Sequence, residues 1–275
     1  MFNTEKVHPM TIHPTAVIES GAELEQSVRV GPYAVIGAGV KIGAGSEIGA
    51  HTVISGPTTI GVGNRIGSFA NLGAPPQDLS YRDEETSLTI GDHNLIREYV
   101  SIHRGSIKGG GATVIGDHNM LMAYSHIAHD CKLGNHIIMA NAATLGGHVV
   151  VEDRANLGGF VGVHQFTRIG KFAYVGGMSG LTKDVPPFTI VAGTRNRMRV
   201  SGINRIGLKR NGFDSEDIRK LNGAFKIIFL DETLLLQEAL AKALAEFPDA
   251  PLVVELVDFI KKSDRGIVRT YGEDE

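Results

Sequence analysis

The chain has no tryptophan, one cysteine and few aromatic residues, which make up 6% of its 275 positions. A single cysteine excludes an intrachain disulfide framework and fits a reducing compartment. No apolar run approaches the roughly 18 residues of a membrane span, and the polar first ten residues lack the apolar core of a signal peptide. A formal net charge of −3 provides no chain-wide basic field for nucleic acid. We therefore predict a cytoplasmic protein with no membrane span and no nucleic-acid partner.

Glycine is the residue in excess, with 35 of the 275 positions. Ordinary proteins contain about 7% glycine, so its share here is nearly doubled. The hydrophobic fraction of 42% is too high for a disordered, glycine-rich linker. The excess therefore requires a structural reason, which a sequence repeat supplies.

An aliphatic residue recurs every sixth position, in eleven hexads from Ile12 to Leu72, three from Ile90 to Ile102, and twelve from Ile115 to Leu181. The residue two places earlier is usually small or β-branched, and the residue after is often glycine. Since i and i−2 point the same way in an extended chain, each hexad sends one large and one small side chain inward. We expect glycine at corners where φ and close approach exclude a Cβ. Three hexads per coil predict a parallel β-helix of eight to nine coils with a triangular cross-section.

The hexads end at Leu181, and the later spacing is helical. We predict a β-helix over residues 1–190, followed over 191–275 by a connecting segment and a small α-helical domain that caps the prism. Polar or glycine-rich interruptions at 74–87 and 103–113 are predicted to be external loops, which often carry function.

Three helices are predicted in the C-terminal region from their capping signals. The first begins after Asp214 or Ser215, and the second runs over Leu234–Phe247 with Thr233 as its cap. Pro251 fits the first turn of a third helix that reaches about Lys262.

Histidines are concentrated in the middle of the chain, where eight of the eleven lie between His93 and His164. None of the eight occupies an inward hexad position, so we expect them to point outward or to lie at corners. Residues about eighteen apart stack in adjacent coils. Five of these histidines are therefore expected along one edge of the prism: His103, His126, His129, His148 and His164.

The residues on this edge favour acyl transfer. Histidine is a natural general base near neutral pH, and Asp130 next to His129 would fix its tautomer. Gly146 and Gly147 offer unobstructed backbone N–H groups, as an oxyanion site requires. Cys131 falls in an inward position and is predicted to be a packed residue, so the acceptor hydroxyl would be activated directly.

Two other interpretations stay open at this stage. His126-x-x-His129 with a further histidine is possible zinc spacing, and some hexapeptide-repeat proteins are zinc carbonic anhydrases, although their paired-histidine spacing is not reproduced here. A β-helix scaffold that binds a protein partner without turnover is the non-catalytic alternative. The basic segment 194–212, which has no acidic residue, indicates a phosphate-bearing substrate, an acidic protein partner or a solvated surface.

Seven segments occur in an order and at separations typical of one enzyme family. They are Gln77-Asp78-Leu79, Ile102-His103-Arg104-Gly105, His126-Ile127-Ala128-His129-Asp130-Cys131, Leu145-Gly146-Gly147-His148, Val163-His164-Gln165-Phe166, Asp184-Val185-Pro186-Pro187 and Gly207-Leu208-Lys209-Arg210-x-Gly212-Phe213. Nearly the whole chain thus resembles the acyl-ACP–UDP-N-acetylglucosamine O-acyltransferases that begin lipid A biosynthesis. The resemblance implies a left-handed β-helix and a homotrimer with active sites between subunits. It also implies transfer of a 3-hydroxyacyl group from acyl carrier protein to the glucosamine 3-hydroxyl of the UDP-sugar, without a cofactor or a metal.

The resemblance also implies roles for individual residues. His129 would be the general base, oriented by Asp130, and the Gly147 N–H would serve the oxyanion. Residues matching contacts to the sugar, the diphosphate or the donor arm are Asp78, His103, His126, His148, His164 and Gln165, and those reaching the nucleotide from a neighbouring subunit are Asn204 and Arg210. Gly177 matches the position that sets acyl length and implies room for a long chain, which Met178 beside it would shorten.

Three positions depart from the family pattern. Ser80 stands where a substrate-contacting lysine is expected, Ile206 where a glutamate is expected, and Asn211 where a second arginine is expected. The base and oxyanion positions are intact. The choice between the sugar 3-hydroxyl and a 3-amino sugar analogue therefore stays open.

Overall fold

The hexads fold into a three-sided prism, as predicted. A computed structural model describes residues 11–194 and 197–268. Each of the 26 hexad aliphatics from Ile12 to Leu181 lies in its own short strand, and from Val30 onward these side chains are buried. Parallel pairing between successive coils forms three sheets, named sheet A, sheet B and sheet C.

The strands of the three sheets follow one another around the prism. Sheet A contains β1 (Thr11–Ile12), β4 (Arg29–Val30), β7 (Glu47–Ile48), β10 (Arg65–Ile66), β13 (Leu95–Ile96), β16 (Met120–Leu121), β19 (Ile138–Met139), β22 (Asn156–Leu157), β25 (Tyr174–Val175), β27 (Thr189–Ala192) and β28 (Arg199–Ile203). Sheet B contains β2 (Val17–Ile18), β5 (Val35–Ile36), β8 (Val53–Ile54), β11 (Asn71–Ala74), β14 (Ser101–His103), β17 (His126–Ile127), β20 (Thr144–Leu145), β23 (Gly162–Val163) and β26 (Gly180–Leu181). Sheet C contains β3 (Glu23–Leu24), β6 (Val40–Ile42), β9 (Thr58–Ile60), β12 (Ser87–Ile90), β15 (Ala112–Ile115), β18 (Lys132–Leu133), β21 (Val150–Val151) and β24 (Arg168–Ile169).

The chain runs from sheet A to sheet B to sheet C, so the prism has an A–B corner, a B–C corner and a C–A corner. Regular coils pair residues eighteen apart, as between Ile36 and Ile54. The two interruptions leave the prism at the B–C corner and re-enter in register, because Leu88 and Thr113 pair directly through β12 and β15. Both loops therefore lie on the same edge.

Corner glycines are required by close approach between coils. A Cβ on Gly43 would lie 2.6 Å from the carbonyl carbon of Gly61, and one on Gly49 would lie 2.5 Å from the backbone nitrogen of Ser68. The expected φ requirement is wrong at these two positions, which do not have positive φ. The left-handed residue comes two places later and is often a large side chain, such as His51.

The left-handed corner residues stack on one another from coil to coil. At the A–B corner the rings lie 4.8–5.0 Å apart in the order Tyr33, His51, Phe69, Tyr99 and Tyr124. Such contacts offset part of the cost of a left-handed backbone, which is about 1–2 kcal/mol per residue. The coil spacing thus explains why glycine is dispensable at this position.

The predicted connecting segment contains structure that the sequence pattern did not indicate. β27 and β28 form an antiparallel hairpin, and α1 (Arg205–Arg210) follows directly. Asn204 caps α1, since its side chain accepts a hydrogen bond from the Gly207 N–H at 3.0 Å. β27 continues sheet A across residue 190, where the sequence places the domain boundary. That boundary stays a prediction.

The C-terminal helices match the prediction except at one start. α2 (Ser215–Phe225) is capped by Asp214 and continues into a π-helical stretch, Lys226–Leu230. The predicted start of the second helix is wrong, because α3 (Leu236–Glu246) begins two residues later, where Glu238 bonds the Leu235 N–H at 2.9 Å. α4 (Pro251–Lys261) begins at the predicted proline. None of the helices in the described ranges is long and apolar enough to cross a membrane.

The helical region packs against the C-terminal coils of the prism. The Arg168 guanidinium lies 4.3 Å from the centroid of the Phe259 ring, and the Ser263 hydroxyl donates to Asp184 at 2.7 Å. Phe172 meets Phe213 edge to face, with ring centroids 5.0 Å apart. These contacts fix the position of the helices relative to the last coils.

Substituting Gly43 with alanine is expected to destabilise the prism by about 2 kcal/mol, because the added Cβ meets backbone that cannot move aside. Thermal unfolding measures the effect. Gly162→Ala is the matched control, since a Cβ there meets nothing within 4 Å. Equal unfolding temperatures for the two variants would contradict this account of the corner glycines.

Candidate active site

Three consecutive coils build the candidate site at the B–C corner. Residues eighteen apart lie above one another, so Gly147 stacks on His129, and His148 stacks on Asp130. Asp130, His148 and Phe166 all have φ of 62–63°, which turns these side chains out at the same corner of each coil. The His148 ring lies flat on Phe166, with centroids 4.3 Å apart.

Asp130 is a buried carboxylate that orients His129. Its Oδ2 lies 2.7 Å from His129 Nδ1 and accepts the Ser106 hydroxyl at 2.6 Å, while Oδ1 accepts the Ser106 N–H at 2.7 Å. Because an ionised carboxylate only accepts hydrogen bonds, Nδ1 of His129 carries a proton. The lone pair of His129 is therefore on Nε2, the nitrogen a general base uses.

The backbone of Gly147 borders the same space as His129 Nε2. A Cβ on Gly147 would lie 2.9 Å from that nitrogen and 2.7 Å from Cε1, so only glycine leaves the ring in place. The Gly147 N–H donates to no acceptor among the described residues. A base and a free N–H donor thus stand side by side.

His148 completes a compact group around the carboxylate. Its Nε2 lies 3.6 Å from Asp130 Oδ2, and its ring stands perpendicular to that of His129. Burial lowers the pKa of His148 below its usual range despite the nearby carboxylate, so the ring is neutral near pH 7. The ligand atoms of His129, Asp130 and His148 lie within 4.8 Å of one another, a spacing a metal ion accepts. Both Asp130 oxygens, however, already accept hydrogen bonds from Ser106, one of them also contacting His129.

Two further histidines lie beside this group on sheet B. His126 points outward and bonds the Ser101 hydroxyl at 2.7 Å, and the His103 ring meets His126 edge to face at 4.9 Å. His103 is only 7% exposed, and its Nδ1 has no partner in the described structure. Burial lowers the pKa of His103 to about 4 and also lowers the pKa of His126. Both rings are neutral hydrogen-bonding groups.

The external loops close over the same corner. The Arg104 guanidinium bonds the Tyr81 hydroxyl at 2.9 Å and the Gly73 carbonyl at 3.2 Å. The bond to Tyr81 ties the first loop (residues 74–87) to the second loop (residues 103–113). Asp78 accepts both the N–H and the hydroxyl of Ser80 at 2.8 Å, and these bonds lower the pKa of Asp78. His164 and Gln165 are exposed one coil beyond Gly147.

The remaining sequence-predicted residues lie at other edges. Asn204 bonds the Phe172 carbonyl at the C–A corner, and Arg210 is exposed on α1. Asn211 accepts a hydrogen bond from Arg154 at 2.5 Å, also at the C–A corner. Gly177 and Met178 lie at the A–B corner, where Met178 is 76% exposed. Within one chain these residues do not meet His129.

Several observations bear on the other sequence expectations. Cys131 is buried, and burial raises the pKa of its thiol to about 12, so it is not a nucleophile. His93, His118 and His136 stack at the C–A corner, away from the site. Ile206 is exposed on α1, and Arg195 of the basic segment lies outside the described residues.

Sequence reasoning missed two residues of the site, Ser106 and Lys108. Both belong to the second loop, and their types carry no catalytic signal. Only the length of this loop, which returns to the prism beside Asp130, points to them.

Known proteins share these features. The profile described as bacterial transferase hexapeptide (six repeats) matches residues 21–56 and 112–147, and one described as domain 2 of UDP-N-acetylglucosamine O-acyltransferase matches residues 184–268. An acyl-[acyl-carrier-protein]–UDP-N-acetylglucosamine O-acyltransferase of Thermodesulfovibrio yellowstonii is 52% identical over 94% of this chain and 99% of its own length. The UDP-N-acetylglucosamine acyltransferase structure from Francisella novicida aligns with a TM-score of 0.90 at 38% identity, covering 94% of both chains. The corresponding O-acyltransferase structure from Moraxella catarrhalis has a TM-score of 0.89 at 40% identity, covering 94% of this chain and 99% of that one.

The prism and the His-Asp pair beside a bare glycine N–H define a hexapeptide-repeat acyltransferase. Within that class, the chain belongs to the acyl-ACP–UDP-N-acetylglucosamine O-acyltransferase family. The predicted left-handed parallel β-helix with a small helical C-terminal domain is confirmed.

The buried histidines are expected to make the protein less stable in acid. Because the pKa of folded His103 is about 4, the unfolded chain binds a proton between pH 6.5 and 4 that the folded chain does not. Stability should therefore fall as the pH drops through this window. The decrease in unfolding temperature from pH 7 to pH 4.5 should be smaller in His103→Gln than in the wild type. The control His118→Gln removes an exposed histidine of the C–A corner, so the acid-induced decrease in its unfolding temperature should stay closer to that of the wild type. A smaller decrease in His118→Gln than in His103→Gln would contradict the role given to His103.

Proposed function

We propose that the protein transfers a 3-hydroxyacyl chain from acyl carrier protein to the glucosamine 3-hydroxyl of UDP-N-acetylglucosamine, the first step of lipid A biosynthesis. The observation that carries the proposal is the arrangement of His129 Nε2 and the Gly147 N–H on one side of a fixed His129–Asp130 pair. That pair requires no nucleophilic side chain, in agreement with the buried Cys131. Family membership at 52% identity supplies the substrate class.

The chemistry begins with proton transfer to His129. Nε2 takes the proton of the sugar 3-hydroxyl as its oxygen attacks the thioester carbonyl of the donor, and Asp130 stabilises the imidazolium that forms. The Gly147 N–H donates to the oxyanion of the tetrahedral intermediate. Collapse of the intermediate breaks the carbon–sulfur bond, and the imidazolium returns its proton to the leaving thiolate. The products are the acylated UDP-sugar and the free thiol of the carrier, and no cofactor enters the balance.

The remaining residues would bind the substrates. His103 and His126 offer neutral ring nitrogens beside the base, and the unpartnered Nδ1 of His103 is suited to a substrate hydroxyl or amide. Asp78, His148, His164 and Gln165 line the same corner and would contact the sugar, the diphosphate or the donor arm. Their types supply both donors and acceptors, as a sugar requires.

The outer face of sheet B suits the acyl chain. Beyond His126 the outward positions of successive strands are Thr144, Gly162 and Gly180, which form a floor almost without side chains. Gly177 and Met178 lie at the A–B corner beside the far end of this floor. We propose that they limit the length of the acyl chain.

A homotrimer would complete the site. In the described strands of sheet B, none of the outward residues is Asp, Glu, Lys or Arg. The A–B corner beside this sheet exposes the apolar side chains of Phe69, Tyr124, Phe160 and Met178. Sheet C instead presents charged outward residues such as Glu23, Lys41 and Lys132. An apolar corner of this length is suited to burial against other copies of the chain. A neighbouring copy would also bring Asn204 and Arg210 to the nucleotide phosphates, which those of the same chain do not reach.

Substituting His129 with alanine is expected to reduce turnover at least about 100-fold, because the general base is lost. Light scattering should still give a trimer with wild-type mass, and the unfolding temperature should stay close to that of the wild type. Turnover near the wild-type value would overturn the mechanism.

Metal analysis distinguishes this reaction from a zinc-dependent one. The zinc alternative is tested because the ligand atoms of His129, Asp130 and His148 are close enough to bind a metal ion. Purified protein is analysed for metal and assayed for acyl transfer after chelation. General-base catalysis predicts unchanged activity after chelation. If chelation abolished the activity and added zinc restored it, the zinc-dependent hypothesis would be favoured.

A further inference from the structure

The two external loops meet at a hydrogen bond between Lys108 and Ser80. The Lys108 ammonium donates to the Ser80 hydroxyl at 2.7 Å, and that hydroxyl donates to Asp78 at 2.8 Å. Lys108 is exposed, and Asp78 and Ser80 are half-buried. An ammonium has three donors, so this bond leaves donors of Lys108 free for a ligand.

The catalytic carboxylate holds Lys108 in place. Ser106, two residues before it, bonds both oxygens of Asp130, and Gly109, directly after it, packs so closely on Asp130 that a Cβ would collide with the carboxylate. Residues Ile107–Gly109 form a single helical turn between these anchors. The same carboxylate that orients His129 therefore sets the position of Lys108.

Other cations of these loops are already engaged. Arg104 bonds the Tyr81 hydroxyl and the carbonyls of Gly56 and Gly73, and Arg82 bonds the carbonyls of Leu79 and Tyr81. The histidines beside the base are neutral near pH 7 at His103, His126 and His148. Lys108 therefore supplies a positive charge that the histidines do not.

The first loop (residues 74–87) also sets the location of the Lys108 ammonium. The ammonium lies on the Ser80 hydroxyl, which in turn bonds Asp78, whereas Arg82 of the same loop is bound to backbone carbonyls. Lys108 of the second loop thus places a positive charge beside Ser80 of the first loop.

We propose that Lys108 is a substrate-binding residue that holds a phosphate group beside the catalytic histidine. A compact ammonium with free donors is a common phosphate ligand. Two phosphates are available if the proposed function holds, on which this inference rests. They are the diphosphate of the UDP-sugar and the phosphate of the carrier's phosphopantetheine arm.

Lys108→Ala should weaken the binding of one phosphate-bearing substrate about 10-fold or more, the loss of one charge-assisted hydrogen bond, with little change in kcat. Calorimetry with UDP-N-acetylglucosamine tests the diphosphate, and calorimetry with phosphopantetheine tests the donor arm. The ligand whose affinity falls identifies the phosphate. Unchanged affinity for both would overturn the proposal.

The controls separate charge from loop structure. Lys41→Ala removes an exposed lysine of sheet C that pairs with Glu23, and it should change neither affinity. Lys108→Gln retains a donor for Ser80 without the charge and should bind as weakly as Lys108→Ala; wild-type affinity in this variant would mean that Lys108 only fixes the loop.

A charge exchange provides the reverse test. Lys108→Ala combined with Ser80→Lys restores a positive charge beside Asp78 and should regain most of the lost affinity. Failure to regain it would contradict the role proposed for that charge. These binding measurements need no turnover. A wild-type protein that binds one of the two ligands in a Lys108-dependent manner but transfers no acyl group would contradict the proposed function and leave the role of Lys108 standing.

Discussion

The stacking of coils at the spacing of parallel strands, about 4.8 Å, is the constraint on which the rest of the structure depends. Because of this stacking, each residue of a regular coil lies directly above the residue eighteen positions earlier. The space open to a side chain is therefore set by the residues eighteen positions before and after it. At the B–C corner this repetition sets bare backbone at Gly147 against the ring of His129. The proposed base and oxyanion donor are adjacent because two coils are adjacent.

Asp130 links the prism to the parts that do not repeat. Its buried carboxylate bonds His129 on one side and Ser106 on the other, so one group sets the tautomer of the proposed base and the position of the second loop. That loop carries Lys108 to Ser80 in the first loop. Asp130 thus anchors the second loop to the rigid solenoid, and Arg104 and Lys108 bond that loop to the first. These contacts account for a site of high polarity on an otherwise repetitive scaffold.

Most of the fold was predictable, because a six-residue period with buried Ile36 and its counterparts constrains every coil. The histidine edge followed from the same period. The loop contacts of Ser106 and Lys108 were not predictable, since irregular chain has no period and its path depends on tertiary hydrogen bonds. The hairpin of β27 and β28 was also missed, because β27 forms by pairing with β25 of the last coils and β28 by pairing with β27. The left-handed corners hold stacked rings such as Tyr99, which local preference for glycine does not anticipate.

The central claim is that His129 activates a sugar hydroxyl toward a thioester held at the B–C corner. The most direct test is mass spectrometry of the products formed from 3-hydroxyacyl carriers of graded length with UDP-N-acetylglucosamine and, separately, with its 3-amino analogue. The account predicts a single O-acylated product of UDP-N-acetylglucosamine that forms with wild-type protein and not with His129→Ala. Acylation of the 3-amino analogue alone, or equal product from the variant, would contradict it.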